Sequence, residues 1–335
     1  MVDSHVNDGN FPARVVSGLQ PTDMLHLGNY FAAIKQHIEL QHEYPGESFY
    51  FIADYQALIS IRAPEQLRRQ SQALALDYLA LGLDPNKAIF YRQSDVPQVC
   101  ELMWILTCVT RKAQMDYMRL AAKRINSSIE SFLSSQLAVA DILALRATIV
   151  PVGEDQDQRL IITRNIAMAF NTAFDTPIFP IPTMRVNDAA TGTDGRKMSK
   201  SYNNAFAIFA AVDELGSRLA EIKRLARASS HARAPKMDTI FALYRLMATP
   251  EQQNDILSRY QRGGITRRQA QAELQMKLKE FFDQLKTKRH ELEQDLDTVE
   301  DILREGARRA REEANETLEM VRDCVGVGQY RRFGT

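Results

Sequence analysis

Strand and helix patterns alternate along the first half of the chain, and this alternation restricts the possible folds more than any other feature of the sequence. A β-rich run at Ala13–Ser17 ends at Gly18, and helical spacing follows from Asn29 to Leu40. The mostly apolar run Ser48–Ala53 is typical of a buried parallel strand, and a helix is predicted from Pro64 to Leu83. This alternation predicts an α/β fold with a doubly wound parallel sheet, whose ligands bind beyond the carboxyl ends of the strands.

Two more short runs, Ala88–Tyr91 and Ile149–Val152, continue the strand pattern. The second leads into a helix that is predicted to reach about Phe170. Helical patterns fill the region between Val96 and Leu145, whereas the segment from Phe179 to Ser201 is predicted to be a loop. The first two thirds of the chain therefore account for a sheet and its covering helices.

The predicted domain organisation has three parts. Residues 1–12 are polar and acidic and are expected to form a flexible N-terminus. Residues 13–204 form the α/β domain, with a helical segment at about 96–148, and residues 205–330 form an all-helical C-terminal domain. A chain of 335 residues, 45% of them hydrophobic, is long enough for one large and one smaller domain.

Composition restricts the partners and the compartment. The 42 Lys and Arg residues balance 42 Asp and Glu residues, so an RNA partner would have to be held by local basic surface. The three cysteines lack Cys-x-x-Cys spacing, which argues against a disulfide framework and against a zinc site. Neither a leader pattern nor a membrane-spanning run is visible. We expect a cytoplasmic protein with no membrane association and no metal held by its own side chains.

A loop around residue 200 carries the most specific string in the sequence, Lys197-Met198-Ser199-Lys200-Ser201. Two lysines that flank hydroxyl residues supply charges and donors for a polyphosphate leaving group. An isolated Lys-Ser pair is more often a solvated turn. The complete string, however, is the signature loop of class I aminoacyl-tRNA synthetases, and on this string the chain resembles that family.

A second string near the N-terminus, His26-Leu27-Gly28-Asn29, resembles the HIGH element of the same family. Gly28 would let the backbone approach ATP, while His26 and Asn29 can donate hydrogen bonds to phosphate oxygens near a helix N-terminus. Alone, His26 would be interpreted as a structural histidine. Together with the later loop, the resemblance implies that His26, Asn29, Lys197 and Lys200 are catalytic.

Three segments are similar to the tryptophanyl branch of the family, namely Ser17–Pro21, Ala140–Leu143 and Val150–Gln156. The resemblance implies a Rossmann-like class I synthetase core with a helical tRNA-binding domain. It also implies a function: L-tryptophan is activated with ATP, carried with Mg²⁺, to tryptophanyl-adenylate plus pyrophosphate, and is then transferred to its tRNA. The family is dimeric, so a homodimer joined by the helices at about 96–148, including Trp104, is expected.

The resemblance also implies roles for individual residues. Asp141 would accept the indole N–H, Gln156 would contact the polar end of the amino acid, and Gln56 and Gly18 would complete the tryptophan site. The residues implied for ATP are Gln20, Pro21, Thr22, Gly28, Asn29, Gly153, Glu154, Asp155, Val186, Lys197, Met198, Ser199, Lys200 and Ser201. From spacing alone, Asp141 would instead be a helix carboxylate paired with a cation, and Gln156 could equally be a helix-start residue.

Three positions depart from the family pattern: Gln56 stands where His is common, Ala138 where Met is common and Arg159 where His is common. The exact substrate preference therefore stays open. The alternatives are an analogue-tolerant or inhibitor-resistant paralogue, a regulatory RNA-binding paralogue without catalysis and, less favoured, a tyrosyl-tRNA synthetase. A P-loop ATPase is disfavoured, because the sequence has no G-x-x-x-x-G-K-[ST] string.

Basic residues outside the signature strings are interpreted more conservatively. Arg119 and Lys123 could reach pyrophosphate, although a solvated helix face is the better interpretation of both. The C-terminal half contains three basic clusters, at Lys223-Arg224 with Arg227, at Arg267-Arg268 and at Arg308-Arg309 with Arg311. Interleaved acidic residues indicate local ion pairs on solvated helices.

Overall fold

The computed structural model describes residues 11–21, 25–111, 114, 129–153, 157–187, 192–194, 196, 198, 202–209, 216–222, 239–262 and 264–328. Within these residues, five parallel strands form one sheet of order β3-β2-β1-β4-β5. The strands are β1 Val15–Leu19, β2 Ser48–Ile52, β3 Ala88–Arg92, β4 Ile149–Gly153 and β5 Thr183–Asn187. The prediction of a doubly wound parallel sheet is confirmed.

Helices connect the strands and continue to the C-terminal end. The described helices are α1 Leu27–Asn29, α2 Lys35–Glu43, α3 Asp54–Ala57, α4 Pro64–Leu81, α5 Gln98–Val109, α6 Ile129–Ala144, α7 Asp157–Ala173, α8 Thr239–Met247, α9 Pro250–Gln261, α10 Arg267–Glu293 and α11 Leu296–Val325. Helix α4 ends two residues before its predicted end, because Gly82 adopts φ 114°, a left-handed conformation typical of a glycine C-cap.

Strands β1, β2 and β3 alternate their side chains between two hydrophobic cores. On β2, Tyr50 and Ile52 belong to the core on one face of the sheet, whereas Phe49 and Phe51 belong to the core on the other. All five residues of β2 are buried. Burial on both faces explains why this strand is a continuous apolar run rather than an alternating one.

Strand β5 corrects the sequence analysis, which predicted a loop throughout Phe179–Ser201. It pairs with β4 in parallel, with Ile149 opposite Thr183. Thr183, Met184 and Arg185 are exposed, as expected at the edge of the sheet. An edge strand that follows Pro182 and carries polar residues does not produce the apolar run by which the inner strands were recognised.

The last helix returns to the sheet. Helix α11 crosses β3 so closely that a Cβ on Gly306 would lie 1.9 Å from the backbone oxygen of Phe90. Helix α10 packs against α4, where Arg289 Nε donates to Asp77 Oδ1 at 2.7 Å. The C-terminal region is helical in its described residues, as predicted, and it shares the hydrophobic core of the sheet. A domain boundary near residue 204 stays a prediction.

Candidate active site

The carboxyl ends of β1 and β4 border a cavity of about 330 Å³. These neighbouring strands mark the switch point of the sheet, because the chain continues from β1 to β2 on one side and from β4 to β5 on the other. Ligands of doubly wound sheets bind at such points. The cavity is lined by Gly18, Gln20, Asn29, Gln56, Ala138 and Asp141, among others.

Gly18 keeps the floor of this cavity open. A Cβ on Gly18 would lie 2.3 Å from the ring of Phe51 on the neighbouring strand. Any larger residue would displace that ring. The position in β1 therefore requires a glycine for packing, beside its place in the cavity wall.

The turn His26–Asn29 lies at one side of the cavity and is closed by reciprocal hydrogen bonds. Asn29 N donates to His26 Nδ1 at 3.3 Å, and His26 N donates to Asn29 Oδ1 at 3.1 Å. Because His26 Nδ1 accepts a hydrogen bond, the neutral ring carries its proton on Nε2. A π-helical turn, Tyr30–Ile34, follows at once, and such turns are frequent at functional sites.

The same turn contacts the later signature loop. Gly28 N donates to Met198 Sδ at 3.0 Å, and Met198 is 3% exposed. Leu27 N donates to the backbone oxygen of Phe206 at 2.9 Å, so the segment after the loop is also joined to the turn. A Cβ on Gly28 would lie 2.7 Å from His26 Nδ1 and 3.1 Å from Met198 Cβ. The two stretches, 170 residues apart in sequence, meet beside one cavity.

At the opposite side of the cavity, Asp141 of α6 is a buried carboxylate, 4% exposed. Gln93 Nε2 lies 2.9 Å from its Oδ1 and 2.7 Å from its Oδ2. Burial raises the pKa of Asp141 to about 7, against the opposing effect of hydrogen bonds from Gln93 and Gln56. The group can therefore change charge near neutral pH.

Gln56 of α3 connects this carboxylate to the helix on which it stands. Its Nε2 donates to the backbone oxygen of Ser134 at 3.5 Å, and Ser134 Oγ donates back to Gln56 Oε1 at 3.4 Å. The pKa of Asp141 is lowered by a side-chain hydrogen bond with Gln56 as well. Asp141 therefore has the amides of Gln93 and Gln56 as hydrogen-bond partners.

Comparison with known proteins decides the family. Residues 8–283 match the family model described as tRNA synthetases class I (W and Y). The chain is 41% identical to the tryptophan–tRNA ligase of Rhodopirellula baltica over 94% of its length and 99% of the relative's, and 38% identical to that of Fusobacterium nucleatum over 94% and 98%. The chain belongs to the class I tRNA synthetases.

A solved structure supports the same assignment. The crystal structure of tryptophanyl-tRNA synthetase from Campylobacter jejuni, complexed with ADP and tryptophan, aligns with a TM-score of 0.81 at 35% identity. The alignment covers 94% of this chain and 100% of the Campylobacter jejuni chain. The resemblance stated from the signature strings is confirmed, and the chain is an aminoacyl-tRNA synthetase.

Some of the residues predicted to bind ATP belong to the described structure of the synthetase, and others lie outside it. Gln20 lines the cavity, Pro21 is buried, and Gly28 and Asn29 belong to the turn. Gly153 ends β4 opposite Asn187, and Val186 lies opposite Val152 on β5. The predicted residues outside the described part are Thr22, Glu154, Asp155, Gln156, Lys197, Ser199, Lys200 and Ser201, together with Arg119 and Lys123.

Gln93 is the residue around the synthetase cavity that sequence reasoning missed. It follows β3 in a short helical turn, Gln93–Asp95, and is 1% exposed. Nothing in its local sequence indicates a role, because Asp141 lies 48 residues further along the chain. Arg159, noted only as a departure from the family pattern, also lines the cavity.

Two surface features of the synthetase are relevant to the predicted binding of tRNA and of a second protein chain. Arg308 pairs with Glu305 and with Glu312 on its own helix, so this basic residue has the local ion pairs that the sequence predicts. In the segment 96–148, Trp104 is 67% exposed and Ile129 is 78% exposed. None of the described helices is long and apolar enough to span a membrane.

Proposed function

We propose that this synthetase is a tryptophan–tRNA ligase, which activates L-tryptophan with ATP and transfers it to its tRNA. The observation that carries the proposal is one cavity whose wall includes a buried carboxylate, Asp141, and Asn29 of the His26–Asn29 turn, which in its own right contacts Met198. The relatives named above are tryptophan–tRNA ligases, which favours tryptophan over tyrosine. ATP and tryptophan are the ligands that this cleft would hold.

Asp141 would select the amino acid. Its carboxylate would accept the indole N–H, which phenylalanine lacks, and an unmatched side chain would leave a desolvated carboxylate without its donor. Gly18 and Gln56 would shape the wall, and Gln156 would contact the polar end of the amino acid. The position of Asp141 in the cavity wall supports this role.

The opposite side would bind the nucleotide. A carboxylate oxygen of tryptophan attacks the α-phosphorus of ATP, the bond to pyrophosphate breaks, and pyrophosphate leaves. A ribose hydroxyl of the tRNA terminus then attacks the adenylate carbonyl and releases AMP. His26, Asn29, Lys197 and Lys200 would stabilise the developing negative charge, while the other residues named for ATP position its base and phosphates.

Mg²⁺ enters the proposal with ATP. Among the residues that the structure describes, no group of three His, Cys, Asp or Glu side chains could hold a metal ion. We propose that the ion is carried on the triphosphate, because Mg²⁺ is usually bound through substrate phosphates with few protein ligands. When bound there, Mg²⁺ would neutralise phosphate charge and favour departure of pyrophosphate.

Amino-acid-dependent exchange of pyrophosphate into ATP tests the proposal. The purified protein is assayed with tryptophan, tyrosine and phenylalanine in turn. Exchange with tryptophan at a rate at least about 100-fold above that with the other two is expected, since a site built to bond a substrate N–H rejects analogues without it. Absence of exchange would contradict the proposal, and preference for tyrosine would assign the other branch of the family.

The proposal extends to macromolecular partners and compartment. We assign tRNA binding to the helical region at 205–330 and a homodimer interface to the segment 96–148. Trp104 and Ile129 of this segment support that interface, because both are large apolar side chains that a second copy of the chain would remove from water. We also propose a cytoplasmic location, because the three cysteines are free thiols, as is usual in a reducing compartment, and because tRNA is charged there. Sedimentation of Trp104→Glu should give a monomer where the parent chain gives a dimer.

Tolerance of tryptophan analogues is a second candidate property. Ala138 and Gln56 both line the cavity, and both depart from the residues that are common in the family. A smaller side chain at 138 leaves more space beside the ring. Ala138→Met, which fills that space, should weaken the binding of bulky indole analogues while tryptophan exchange is kept; unchanged binding of the analogues would contradict this property.

A further inference from the structure

Gln93 does not line the cavity, but its side chain forms hydrogen bonds with Asp141, which does. Its Nε2 lies within hydrogen-bond distance of both carboxylate oxygens of Asp141, at 2.9 and 2.7 Å. Both side chains are buried, at 1% and 4% exposure. One amide nitrogen therefore contacts both oxygens of the carboxylate.

The orientation of this amide is determined by a second contact. The backbone N–H of Gln56 donates to Gln93 Oε1 at 3.3 Å. A backbone N–H can only donate, so the atom that faces it must be the amide oxygen. The nitrogen end must then face Asp141. The network consequently offers Asp141 donors, which a charged carboxylate accepts and a protonated one uses less well.

The other groups near Asp141 increase the need for these donors. The negative charge of Asp54, the first residue of α3, repels that of Asp141 and raises its pKa further. Burial, together with the nearby charge of Asp141, raises the pKa of the Tyr91 hydroxyl on β3 and of the Cys100 thiol on α5. Arg159 of α7 lines the same cavity but is exposed. The side-chain amides of Gln93 and Gln56 donate hydrogen bonds to Asp141.

We propose that Gln93 is a positioning residue for amino-acid selection, which holds the Asp141 carboxylate charged and turned toward the cavity so that it can accept the indole N–H. The proposal rests on the proposed function, in which Asp141 contacts the indole ring. Gln93 itself touches no substrate. Its effect is confined to ligands that carry a hydrogen-bond donor at the indole nitrogen.

The test compares tryptophan with β-(benzothienyl)alanine, in which sulfur replaces the indole N–H. In Gln93→Met the amide donor is lost at similar side-chain length. The dissociation constant for tryptophan at pH 7 should rise by roughly tenfold or more, since hydrogen bonds to charged groups are worth this much. Binding of the sulfur analogue should change less than about twofold. Tryptophan affinity should recover in part at pH 9, where Asp141 ionises without help.

Gln41→Met is the matched control. Gln41 is fully buried and, like Gln93, uses both ends of its amide: Nε2 donates to Gly82 O at 3.0 Å, and Oε1 accepts from Asp84 N at 2.9 Å. It lines a groove away from the cavity. The same substitution there should leave the affinities for both ligands and their pH dependence unchanged.

The outcomes separate the inference from the proposed function. Wild-type tryptophan affinity and pH profile in Gln93→Met would overturn the inference, and so would equal loss of tryptophan and of the sulfur analogue, which indicates a structural role. If Gln93→Met does not fold, Gln93→Asn, which cannot reach both oxygens, should show the same selective loss. Failure of the parent protein to exchange pyrophosphate with tryptophan would instead sink the proposed function.

Discussion

The two sides of the cavity are built from different kinds of contact. Around Asp141, buried side chains hold one another through amide hydrogen bonds, with Gln93 as the central residue. Around His26–Asn29, main-chain groups form most of the contacts, and the neighbouring signature loop reaches the turn through Met198. The first side is held together by hydrogen bonds within the protein itself. The second is a turn beside a lysine-bearing loop.

This difference matches two chemical tasks. Selecting an indole ring requires an acceptor that is in place in the ground state, and burial makes its contacts strong and its mismatches costly. Stabilising a leaving pyrophosphate requires charge that acts mainly in the transition state. Substitutions near Asp141 should therefore change affinity and selectivity, whereas substitutions near the turn and loop should change rate.

The largest expected effect concerns the loop. Lys200→Ala should slow adenylate formation by about 100-fold or more, because the charge that the ammonium meets develops as pyrophosphate leaves. Tryptophan binding should stay nearly intact. Single-turnover measurement of adenylate formation, combined with fluorescence titration of tryptophan, separates the two quantities. An equal loss of rate and of tryptophan affinity would erase the distinction between the two sides.

The second effect concerns the opposite side. Asp141→Ala should weaken tryptophan binding by about 10-fold to 100-fold, the usual range for losing a hydrogen bond to a charged group. Phenylalanine, which has no N–H to donate, should bind at least as well as before, because it no longer leaves a desolvated carboxylate without a donor. The ratio of kcat/KM for the two amino acids is the measurement. An unchanged ratio would remove Asp141 from substrate selection.

The pH dependence of tryptophan binding sharpens the comparison. The pKa of Asp141 is raised to about 7 by burial, so the carboxyl is protonated below that pH and charged above it. A charged acceptor binds the indole N–H more strongly, so affinity should increase as pH rises from 6 to 8, by about tenfold at most. Asp141→Asn should have a flat profile. If tryptophan affinity in that variant still increases with pH as in the parent protein, the titrating group is not Asp141.

An effect of similar size is expected at the contact between turn and loop. Met198→Ala removes a buried side chain and the sulfur that accepts from Gly28 N, so adenylate formation should slow by about tenfold. Met198→Leu keeps most of the volume and should slow it only about threefold. Tryptophan affinity should not change in either variant. Fast adenylate formation in Met198→Ala would show that the contact has no influence on the reaction.

Much of the fold could be predicted because its inner strands are buried on both faces. Apolar runs such as Ser48–Ala53 result directly from that burial. Strand β5 could not be recognised in the same way, since its exposed residues have no need to be apolar. The return of α11 to β3 also left no local pattern. It depends on Gly306, whose proximity to Phe90 only the folded chain reveals.

The site shows the same contrast. The signature strings predicted that residues near 26 and near 198 belong together, because each string has a chemical role that is legible by itself. Gln93 has no such string. Its importance arises from two contacts made across the sequence, to Gln56 and to Asp141, and contacts of this kind are set by packing rather than by local pattern.

The central claim is that the His26 turn and the Lys200 loop act on the same triphosphate. A double-mutant cycle of His26→Gln with Lys200→Ala, measured as the rate of adenylate formation at saturating tryptophan, tests it most directly. The account predicts that the double variant loses less than the product of the two single losses, by about tenfold or more. Losses that simply multiply, as those of Lys200→Ala with Asp141→Ala should, would contradict it.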